Sequence, residues 1–453
     1  MEPMSLSEIA VMASGAFVGI DNTAKGLSID SRTVKPGDLF VAIKGPRFDG
    51  HDFVVQAIAA GAAGAMVRND WPGRKAEASN MTGWITVPDT LVALHRLAGQ
   101  YRSQFDIPVV AITGTNGKTT TKEMIAAIAG ARFAVLKNEG NLNNQYGLPL
   151  SLAALTRQHQ LAVLELGMSG FGEIALLVAM ARPQIGVITN IGEGHTEFLG
   201  DVQGVARAKA ELLEALPEDG TAVLNADSPL AMSHRARSKA PLRTFGIDNP
   251  ADVQTTRLVP SDGGMEFTLD GLDFRINLWG RHNVSNALAA IAAADVLGID
   301  RETARARLGC LRPLKMRQEV VRLKQWMLIN DAYNANPESM KAALEALGRI
   351  GGHGRKVAIL ADMLELGGIG PSRHREIGET AGREAEVVVA IGTLANGIYE
   401  GAKAGGASAH HFENNQTAIT IIMKLLKPGD TILIKGSRGM HLEEVAKAIE
   451  EAG

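Results

Sequence analysis

The chain has 453 residues, and at roughly 100 to 200 residues per domain this length predicts about three domains with ample core. The formal net charge of -3 gives no reason to expect nucleic acid or a membrane surface as a partner, and the single cysteine, Cys310, excludes an internal disulfide framework. Fifty glycines, no signal peptide pattern and no bilayer-length apolar stretch indicate a cytoplasmic α/β enzyme.

The first hundred residues predict a small α/β module. Short apolar strands are expected at 38–43 and 65–67, around an alanine-rich helix at 54–63. A further helix is predicted over 91–102. Residues 106–108, Asp-Ile-Pro, then form a linker into the next strand, so a new domain begins there.

Residues 109–120 form an apolar strand that leads into a Gly-Thr-Asn-Gly-Lys-Thr-Thr turn and a helix. Gly114 and Gly117 let the backbone approach phosphate oxygens, Lys118 adds a positive charge, and Thr119 is a candidate ligand of magnesium. The general phosphate loop has four residues between its first glycine and the glycine-lysine pair, whereas this turn has two. An ordinary strand-to-helix turn is the alternative.

The start of the helix after this turn has its own pattern. Thr120 followed by Glu123 resembles a capping box ahead of an apolar run. We therefore predict that the Thr120 side chain caps the helix.

The central segment alternates strands and helices, which predicts a parallel sheet. Ligands of such sheets lie at the carboxyl ends of the strands. Glu165 ends the second strand and His195 follows the third, so we expect both to meet the phosphate loop and to ligate magnesium. A surface carboxylate and a plain polar loop residue are the alternatives. The predicted strands span 109–113, 161–166, 185–190 and 221–225.

Amide side chains cluster at two places in this segment. Asn141, Asn143 and Asn144 form a loop suited to sugar, amide or purine edges, or else a plain turn. Asn283 and Asn286 precede an alanine-rich helix that we expect to be buried, and Asn283 is a candidate cap of that helix.

A second alternating series begins after Arg312-Pro313 and predicts another doubly wound domain. Its strand ends carry Asp331, Asp362, Gly392 and the segment 435–438. Pro337 suits the first position of a helix that runs to about 348. A cleft between the two sheets is the default site. The predicted strands span 326–330, 356–360, 386–391 and 431–434.

Taken together, these motifs resemble the Mur ligase family over nearly the whole chain. The resemblance rests on Asp30 to Phe40, Lys44 to His51, Gly114 to Thr120, Gly140 to Asn144, Glu165 to Gly167, Gly280 to Asn283, Asp331 to Pro337 and Lys435 to Arg438. It implies three α/β domains: residues 1–106 for the UDP-sugar, a central ATP-binding domain at 107–312, and a Rossmann-like domain at 313–453 that brings the incoming amine.

The resemblance also implies roles for single residues. Lys118, Glu165, His195 and Lys209 would be catalytic, with Lys209 carbamylated so that it joins Thr119, Glu165 and His195 as a magnesium ligand. From its position alone, Lys209 is an ordinary solvated helix lysine. Met316 stands where the family often has a glycine before the arginine at 317. ATP would contact Gly114, Thr115, Asn116, Gly117, Lys118, Thr119, Thr120, Asn141, Asn286, Arg317 and Asp331. The other substrates would contact Ser31, Arg32, Asn143, Asn144, Asn334, Lys435, Ser437 and Arg438.

Within the family, the resemblance is narrowest to the member that acts last in building the stem peptide. It implies a monomer that uses ATP and two magnesium ions, with UDP-N-acetylmuramoyl-tripeptide and D-alanyl-D-alanine as substrates. The third residue of the tripeptide, diaminopimelate or lysine, stays open.

Three other kinds of protein are the alternatives to this member of the Mur ligase family. The preceding ligase of the family carries Asp-Asn-Pro-Arg in its last domain, whereas Asp-Asn-Pro-Ala at 248–251 here lies in the central segment and predicts a turn. Folylpolyglutamate synthase would lack the amino-terminal sugar motifs. A phosphate-loop switch would need no second ligand-binding edge.

Overall fold

The computed structural model describes residues 1–73, 83–261, 263–350 and 354–453. Three larger, mainly parallel sheets follow one another along the chain, each packed against helices. The predicted three-part α/β fold is confirmed. Within these ranges, no helix is both long enough and apolar enough to span a membrane.

The amino-terminal sheet is parallel except for one edge strand. The helix predicted at 54–63 ends at Ala59, because the chain turns at Gly61 with a left-handed φ of 98°. In the described residues the strand order is Ala16–Gly19, Gly83–Val87, Gly64–Arg68, Asp38–Val41 and Gly26–Ser28. The other elements are the strands Met4–Ser5 and Thr23–Ala24, the short helical turn Gly50–Phe53, and the helices Leu6–Ala13, Val54–Ala59 and Thr90–Arg102.

The central sheet is parallel throughout, and its strands are apolar on both faces. Val109 and Ala111 pack into one apolar cluster, while Val110 and Ile112 pack into another. Burial on both faces explains why the strands read as continuous apolar runs. In the described residues the order is Val253–Gln254, Leu242–Gly246, Thr221–Asn225, Ile185–Ile188, Val109–Thr113, Leu161–Glu165 and Val135–Lys137.

Helices and a small antiparallel sheet complete the central part. The alanine-rich helix Arg281–Val296 is buried over most of its length, as predicted. The antiparallel sheet, which the sequence analysis did not predict, has strands Arg257–Ser261, Gly264–Leu269 and Leu272–Ile276. The other helical elements are Lys118–Ala129, Gly147–Ala153, Glu173–Ala181, Thr196–Leu199, Val202–Glu214, Pro229–Ser233, Arg235–Arg237 and Arg301–Gly309.

The carboxy-terminal sheet has parallel strands and one antiparallel edge strand. Its four predicted strands are confirmed to within one residue. In the described residues the order is Glu319–Arg322, Met327–Asn330, Thr431–Lys435, Lys356–Ala361, Val387–Ile391 and Ser408–Phe412. The helical elements are Pro337–Arg349, Gly367–Ile369, Gly370–Glu384, Asn396–Ala404, Asn415–Leu425, Arg438–Met440 and Glu443–Ala452.

Two predicted helix caps are wrong. The helix after the phosphate loop begins at Lys118 with Gly117 as its cap, so Thr120 lies inside the helix. Similarly, the alanine-rich helix begins at Arg281 with Gly280 as its cap, and Asn283 lies inside it. In both places a glycine with positive φ, 79° at Gly117 and 91° at Gly280, caps the helix three residues earlier than the side-chain pattern predicts.

A buried arginine connects the amino-terminal and central parts. Arg102, the last residue of its helix, donates to the backbone oxygens of Ala181 at 3.1 Å, Phe105 at 2.5 Å and Ile107 at 2.8 Å. Its guanidinium group thereby fixes the linker that leads into the strand beginning at Val109.

We expect Arg102→Met to lower the free energy of unfolding by about 3 kcal/mol, because three largely buried carbonyl oxygens lose their donors. Scanning calorimetry measures the change. Arg96→Met, on the exposed face of the same helix, is the control and should leave the transition unchanged. Equal transitions for the two variants would contradict the role of Arg102.

Candidate active site

A cleft of about 500 Å³ lies where the carboxyl edges of the central and carboxy-terminal sheets face each other. The phosphate loop, Glu165 and His195 all line this cleft, as the rule for parallel sheets predicts. The residues singled out from the sequence that line it are Thr115, Asn116, Gly117, Lys118, Thr119, Thr120, Asn141, Asn143, Asn144, Glu165, His195, Lys209, Asn286, Arg317, Asp331, Asn334, Lys435 and Arg438.

Close packing explains both glycines of the phosphate loop. A Cβ atom on Gly114 would lie 1.9 Å from Thr189 Oγ1, and one on Gly117 would lie 2.1 Å from Asn286 Oδ1. Gly117 begins the helix without any side-chain cap. The first amides of the helix are therefore left to an anion in the cleft.

Two lysines converge on one backbone carbonyl of this loop. Lys118 Nζ donates to Gly114 O at 2.9 Å and to Thr115 O at 3.2 Å, and Lys209 Nζ donates to Gly114 O at 2.9 Å. Burial lowers the pKa of Lys118, which the Glu165 carboxylate opposes. Burial also holds the pKa of Lys209 well below its usual range, and the Lys118 charge adds to this shift. Lys209 is thus a buried amine, not the solvated lysine that its position in the sequence suggests.

Two contacts hold the Glu165 carboxylate, and a third holds its backbone at the end of the strand. Thr119 Oγ1 donates to its Oε2 at 2.6 Å and Asn143 Nδ2 donates to its Oε1 at 2.7 Å. Asn138 Oδ1 accepts from the Glu165 backbone N–H at 2.9 Å. Asn143, proposed from the sequence as a substrate contact, therefore orients Glu165 in this structure.

His195 belongs to a loop that reaches the carboxy-terminal part. It adopts a left-handed φ of 60°, and its Nδ1 lies 2.6 Å from Glu365 Oε2. The bond to His195 lowers the pKa of Glu365, which burial opposes. Among the described residues, no three His, Cys, Asp or Glu side chains cluster closely enough to hold a metal ion. A metal at Glu165 would therefore need other oxygen donors, such as Thr119.

Arg317 crosses from the carboxy-terminal part to the phosphate loop. Its Nη2 donates to Thr119 Oγ1 at 2.9 Å, and its guanidinium carbon lies 3.9 Å from the centre of the Tyr333 ring. Met316, where a glycine is common, adopts a left-handed φ of 59°. The backbone conformation that favours glycine is thus retained although the residue differs.

Asp331 and Lys435 form an ion pair on the carboxy-terminal side of the cleft. Lys435 Nζ lies 2.6 Å from Asp331 Oδ2 and also donates to Asn334 O at 3.1 Å. Asp331 Oδ1 accepts from the backbone of Gln318 at 3.1 Å. Both carboxylate oxygens of Asp331 are thus engaged within the protein.

The asparagine side chains at the cleft differ in their hydrogen bonds within the protein. Asn144 Oδ1 accepts from Tyr146 and Gly147 N–H groups at the start of a helix, so it acts as a turn residue. Asn286 Nδ2 donates to Asn283 Oδ1 at 3.2 Å, and this pair packs against the phosphate loop. Asn141 contributes to the cleft lining.

Three substrate-contact candidates lie outside this cleft. Ser31 and Arg32 lie in an exposed loop of the amino-terminal part, where Ser31 donates to Gln56 and Arg32 pairs with Asp30. Ser437 is buried, and its hydroxyl accepts from the Leu364 N–H at 2.9 Å.

The following contacts between the central and carboxy-terminal parts were not predicted from the sequence. Arg373 Nη2 lies 2.5 Å from Glu193 Oε1, and its Nε lies 2.6 Å from the other oxygen, a bidentate pair between the central and carboxy-terminal parts. Glu338 Oε2 accepts from Asn116 of the phosphate loop at 3.2 Å. The sequence around Arg373 has no motif or spacing that would have indicated this contact. Glu338 directly follows Asn-Pro at a predicted helix start, which was an available signal.

These features define a class of protein: an α/β enzyme whose phosphate loop is covered by a second doubly wound part. The profile of the Mur ligase middle domain matches residues 112–294, that of the glutamate ligase domain matches 316–438, and that of the Mur ligase catalytic domain matches 23–102. The chain belongs to the Mur ligase family.

Named relatives narrow the comparison. The UDP-N-acetylmuramoyl-tripeptide--D-alanyl-D-alanine ligase of Bacillus subtilis strain 168 is 39% identical, over 99% of this chain and 98% of the relative. A crystal structure of MurF from Acinetobacter baumannii has a TM-score of 0.91 at 31% identity and covers 100% of this chain and 99% of its own. MurF of Thermotoga maritima in complex with ADP has a TM-score of 0.81 at 28% identity and covers 94% of this chain and 97% of its own.

We expect Arg373→Ala to increase the population of open forms, because the bidentate pair with Glu193 contributes about 1 kcal/mol to the closed arrangement. Small-angle X-ray scattering should show a larger radius of gyration. Arg375→Ala is the control, since Arg375 lies on the same helix and its ion-pair partner among the described residues is Glu379, one turn away. The exchange Glu193→Arg with Arg373→Glu should restore the compact form. An unchanged scattering curve for Arg373→Ala would refute this contribution.

Proposed function

We propose that this chain is the ATP-dependent ligase that joins D-alanyl-D-alanine to UDP-N-acetylmuramoyl-tripeptide. The products are UDP-N-acetylmuramoyl-pentapeptide, ADP and phosphate, and the reaction belongs to peptidoglycan precursor synthesis. Relatives named for this activity match over nearly their full length. The observation that carries the proposal is the phosphate loop facing a second ligand-binding sheet edge, with Arg317 reaching across to Thr119.

The chemistry requires activation of a carboxylate. A free carboxylate resists attack by an amine, so the γ-phosphoryl group of ATP is first transferred to it, giving an acyl phosphate. Lys118, the open amides of its helix and Arg317 stabilise the negative charge on the transferring group. The amine then attacks the acyl carbon, and phosphate leaves from the tetrahedral intermediate.

The donors beside the loop fit magnesium. Thr119 and Glu165 offer a hydroxyl and a carboxylate within 2.6 Å of each other, and Mg²⁺ prefers such oxygen ligands. Magnesium would neutralise charge on the phosphate oxygens. Lys209 is buried and its pKa is lowered, which favours the neutral amine that takes up CO₂ as a carbamate, and a carbamate would add an oxygen donor. His195 would become a magnesium ligand only if its side chain turned away from Glu365.

The remaining assignments belong to the same proposal. Residues 1–106 would bind the UDP-sugar, with Ser31 and Arg32 near the uridine nucleotide. Residues 107–312 would bind ATP, with Asn141 and Asn286 near the adenine and Asp331 near the ribose. Residues 313–453 would bring the dipeptide, with Asn334, Lys435 and Arg438 in contact. The enzyme would act as a cytoplasmic monomer with two magnesium ions.

The structure argues against the preceding ligase of the family as the closest match. The Asp-Asn-Pro-Ala segment lies in a turn of the central part, where Asp227 accepts the backbone N–H groups of Ile247, Asp248 and Asn249. It is therefore a structural turn and not a recognition motif of the last part. A ligation assay with D-alanyl-D-alanine, and with tripeptides that carry diaminopimelate or lysine, decides the substrates.

We expect phosphate release from ATP to require both the UDP-tripeptide and D-alanyl-D-alanine. Lys118→Ala should lower this release by about a thousandfold or more, since the charge that holds the transferring phosphoryl group is lost. The UDP-tripeptide should still bind, as measured by calorimetry. Lys239→Ala, at an exposed position, is the control. An unchanged rate of ATP hydrolysis when the UDP-tripeptide and D-alanyl-D-alanine are left out would overturn the proposal in favour of a phosphate-loop switch.

We expect Lys209→Ala to be inactive and to recover activity when short carboxylic acids are added, because they supply the oxygen donors of the carbamate. Ligation is measured against acetate and formate concentration. Lys118→Ala should gain nothing from the same acids, which makes it the matched control. Failure of Lys209→Ala to recover, together with an unmodified Lys209 in a well-ordered crystal structure, would argue against carbamylation.

A further inference from the structure

The first turn of the helix Pro337–Arg349 touches the phosphate loop. Asn336, its cap, donates through Nδ2 to Asn116 Oδ1 at 2.7 Å, and Asn116 Nδ2 donates to Glu338 Oε2 at 3.2 Å. Glu338 is exposed to the cleft and belongs to its lining. The carboxy-terminal part thus holds a carboxylate against the turn where the phosphates of a nucleotide lie.

Tight packing fixes the place of this carboxylate. A Cβ atom on Gly192 would lie 2.0 Å from Glu338 Oε1 and 2.1 Å from Oε2. The carboxylate therefore rests on the bare backbone of Gly192, in a space that any side chain at 192 would fill. The start of its helix also favours a negative charge at this position.

The charge of Glu338 is uncompensated. The carboxy-terminal part contributes two carboxylates to the cleft lining, Asp331 and Glu338. Asp331 is paired with Lys435, and the nearby cation Arg438 is paired with Glu443. Within the described ranges Glu338 accepts from the Asn116 amide and from the Glu193 backbone, but no cation lies within salt-bridge distance. Packing of the carboxylate against Gly192 and Asn116 removes part of its surface from water, and this desolvation and the nearby Glu193 charge raise the pKa of Glu338.

We propose that Glu338 binds the ammonium group of the incoming dipeptide, an inference that rests on the proposed function. The amine must arrive from the carboxy-terminal part and reach an acyl group beside the phosphate loop. Glu338 is the carboxylate that extends from that part to that loop. An ammonium group would supply the missing cation through charge-assisted hydrogen bonds. Among the residues proposed from the sequence for the dipeptide, Lys435 and Arg438 are cations and cannot bind an ammonium group, and Asn334 carries no negative charge.

The test separates binding of the dipeptide from binding of the other substrates. Glu338→Gln should raise KM for D-alanyl-D-alanine about tenfold or more, because the charged acceptor is lost while the shape is kept. KM for ATP and for the UDP-tripeptide should stay within about twofold. Glu345→Gln, two turns along the same helix and away from the cleft lining, is the matched control. An unchanged KM for the dipeptide in Glu338→Gln would overturn the inference.

Hydroxylamine distinguishes failure of this inference from failure of the proposed function. At neutral pH it is an uncharged nucleophile that intercepts acyl phosphates, so it does not need an ammonium-binding carboxylate. With ATP and UDP-tripeptide, wild-type enzyme and Glu338→Gln should form the hydroxamate at rates within about twofold. Equal loss of hydroxamate and of dipeptide ligation would refute the role of Glu338. If the wild-type chain forms neither product, the proposed function itself fails.

Discussion

Two lysine side chains donate to one backbone carbonyl, that of Gly114, and the rest of the site depends on this arrangement. When both amines are protonated, their charges repel, and this repulsion adds to burial in lowering the pKa of Lys209. Glu165 offsets part of that repulsion, and it is in turn held by Thr119 and Asn143. The pocket is therefore prepared for added negative charge. A nucleotide triphosphate and a carbamate on Lys209 both supply it, which connects the burial of these lysines to the proposed chemistry.

Polar contacts join the parts of the fold that meet at this point, together with the apolar contact of Trp279 against the carboxy-terminal core. Arg317 donates a hydrogen bond to Thr119, Arg373 forms an ion pair with Glu193, and Asn336 donates a hydrogen bond to Asn116. Exposed or partly exposed ion pairs contribute little individually, so the closed arrangement is stable only to a modest degree. Modest stability suits an enzyme that admits three substrates and releases three products. The Arg102 junction is different, since its buried donors fix the amino-terminal part to the central one.

The sequence was sufficient to predict the long apolar strands of the central and carboxy-terminal sheets, their parallel direction and the edge at which the site lies, because apolar runs and strand-end polar residues depend on local pattern. The short edge strands and the small antiparallel sheet were not predicted. It was insufficient for the helix starts at Gly117 and Gly280, where glycine φ values override the side-chain caps. Arg373 and Glu338 matter through partners about 180 and 220 residues away along the chain, which no local pattern records. Ser437 lies outside the cleft lining, where its hydroxyl accepts from the Leu364 N–H, 73 residues earlier in the chain, and no local pattern records this contact either.

The segment between the central and carboxy-terminal parts carries a further consequence. Met316 and Gln318 both hold left-handed backbone, at φ of 59° and 53°, which costs an ordinary side chain about 1 to 2 kcal/mol. Contacts within the carboxy-terminal part hold both conformations: Met316 O accepts from the Tyr333 N–H at 3.1 Å, and the Gln318 N–H donates to Asp331 Oδ1 at 3.1 Å. The loop is therefore anchored to the carboxy-terminal part on both sides of Arg317. Any displacement of that part would carry the guanidinium group toward or away from Thr119, which links the position of this charge to domain movement.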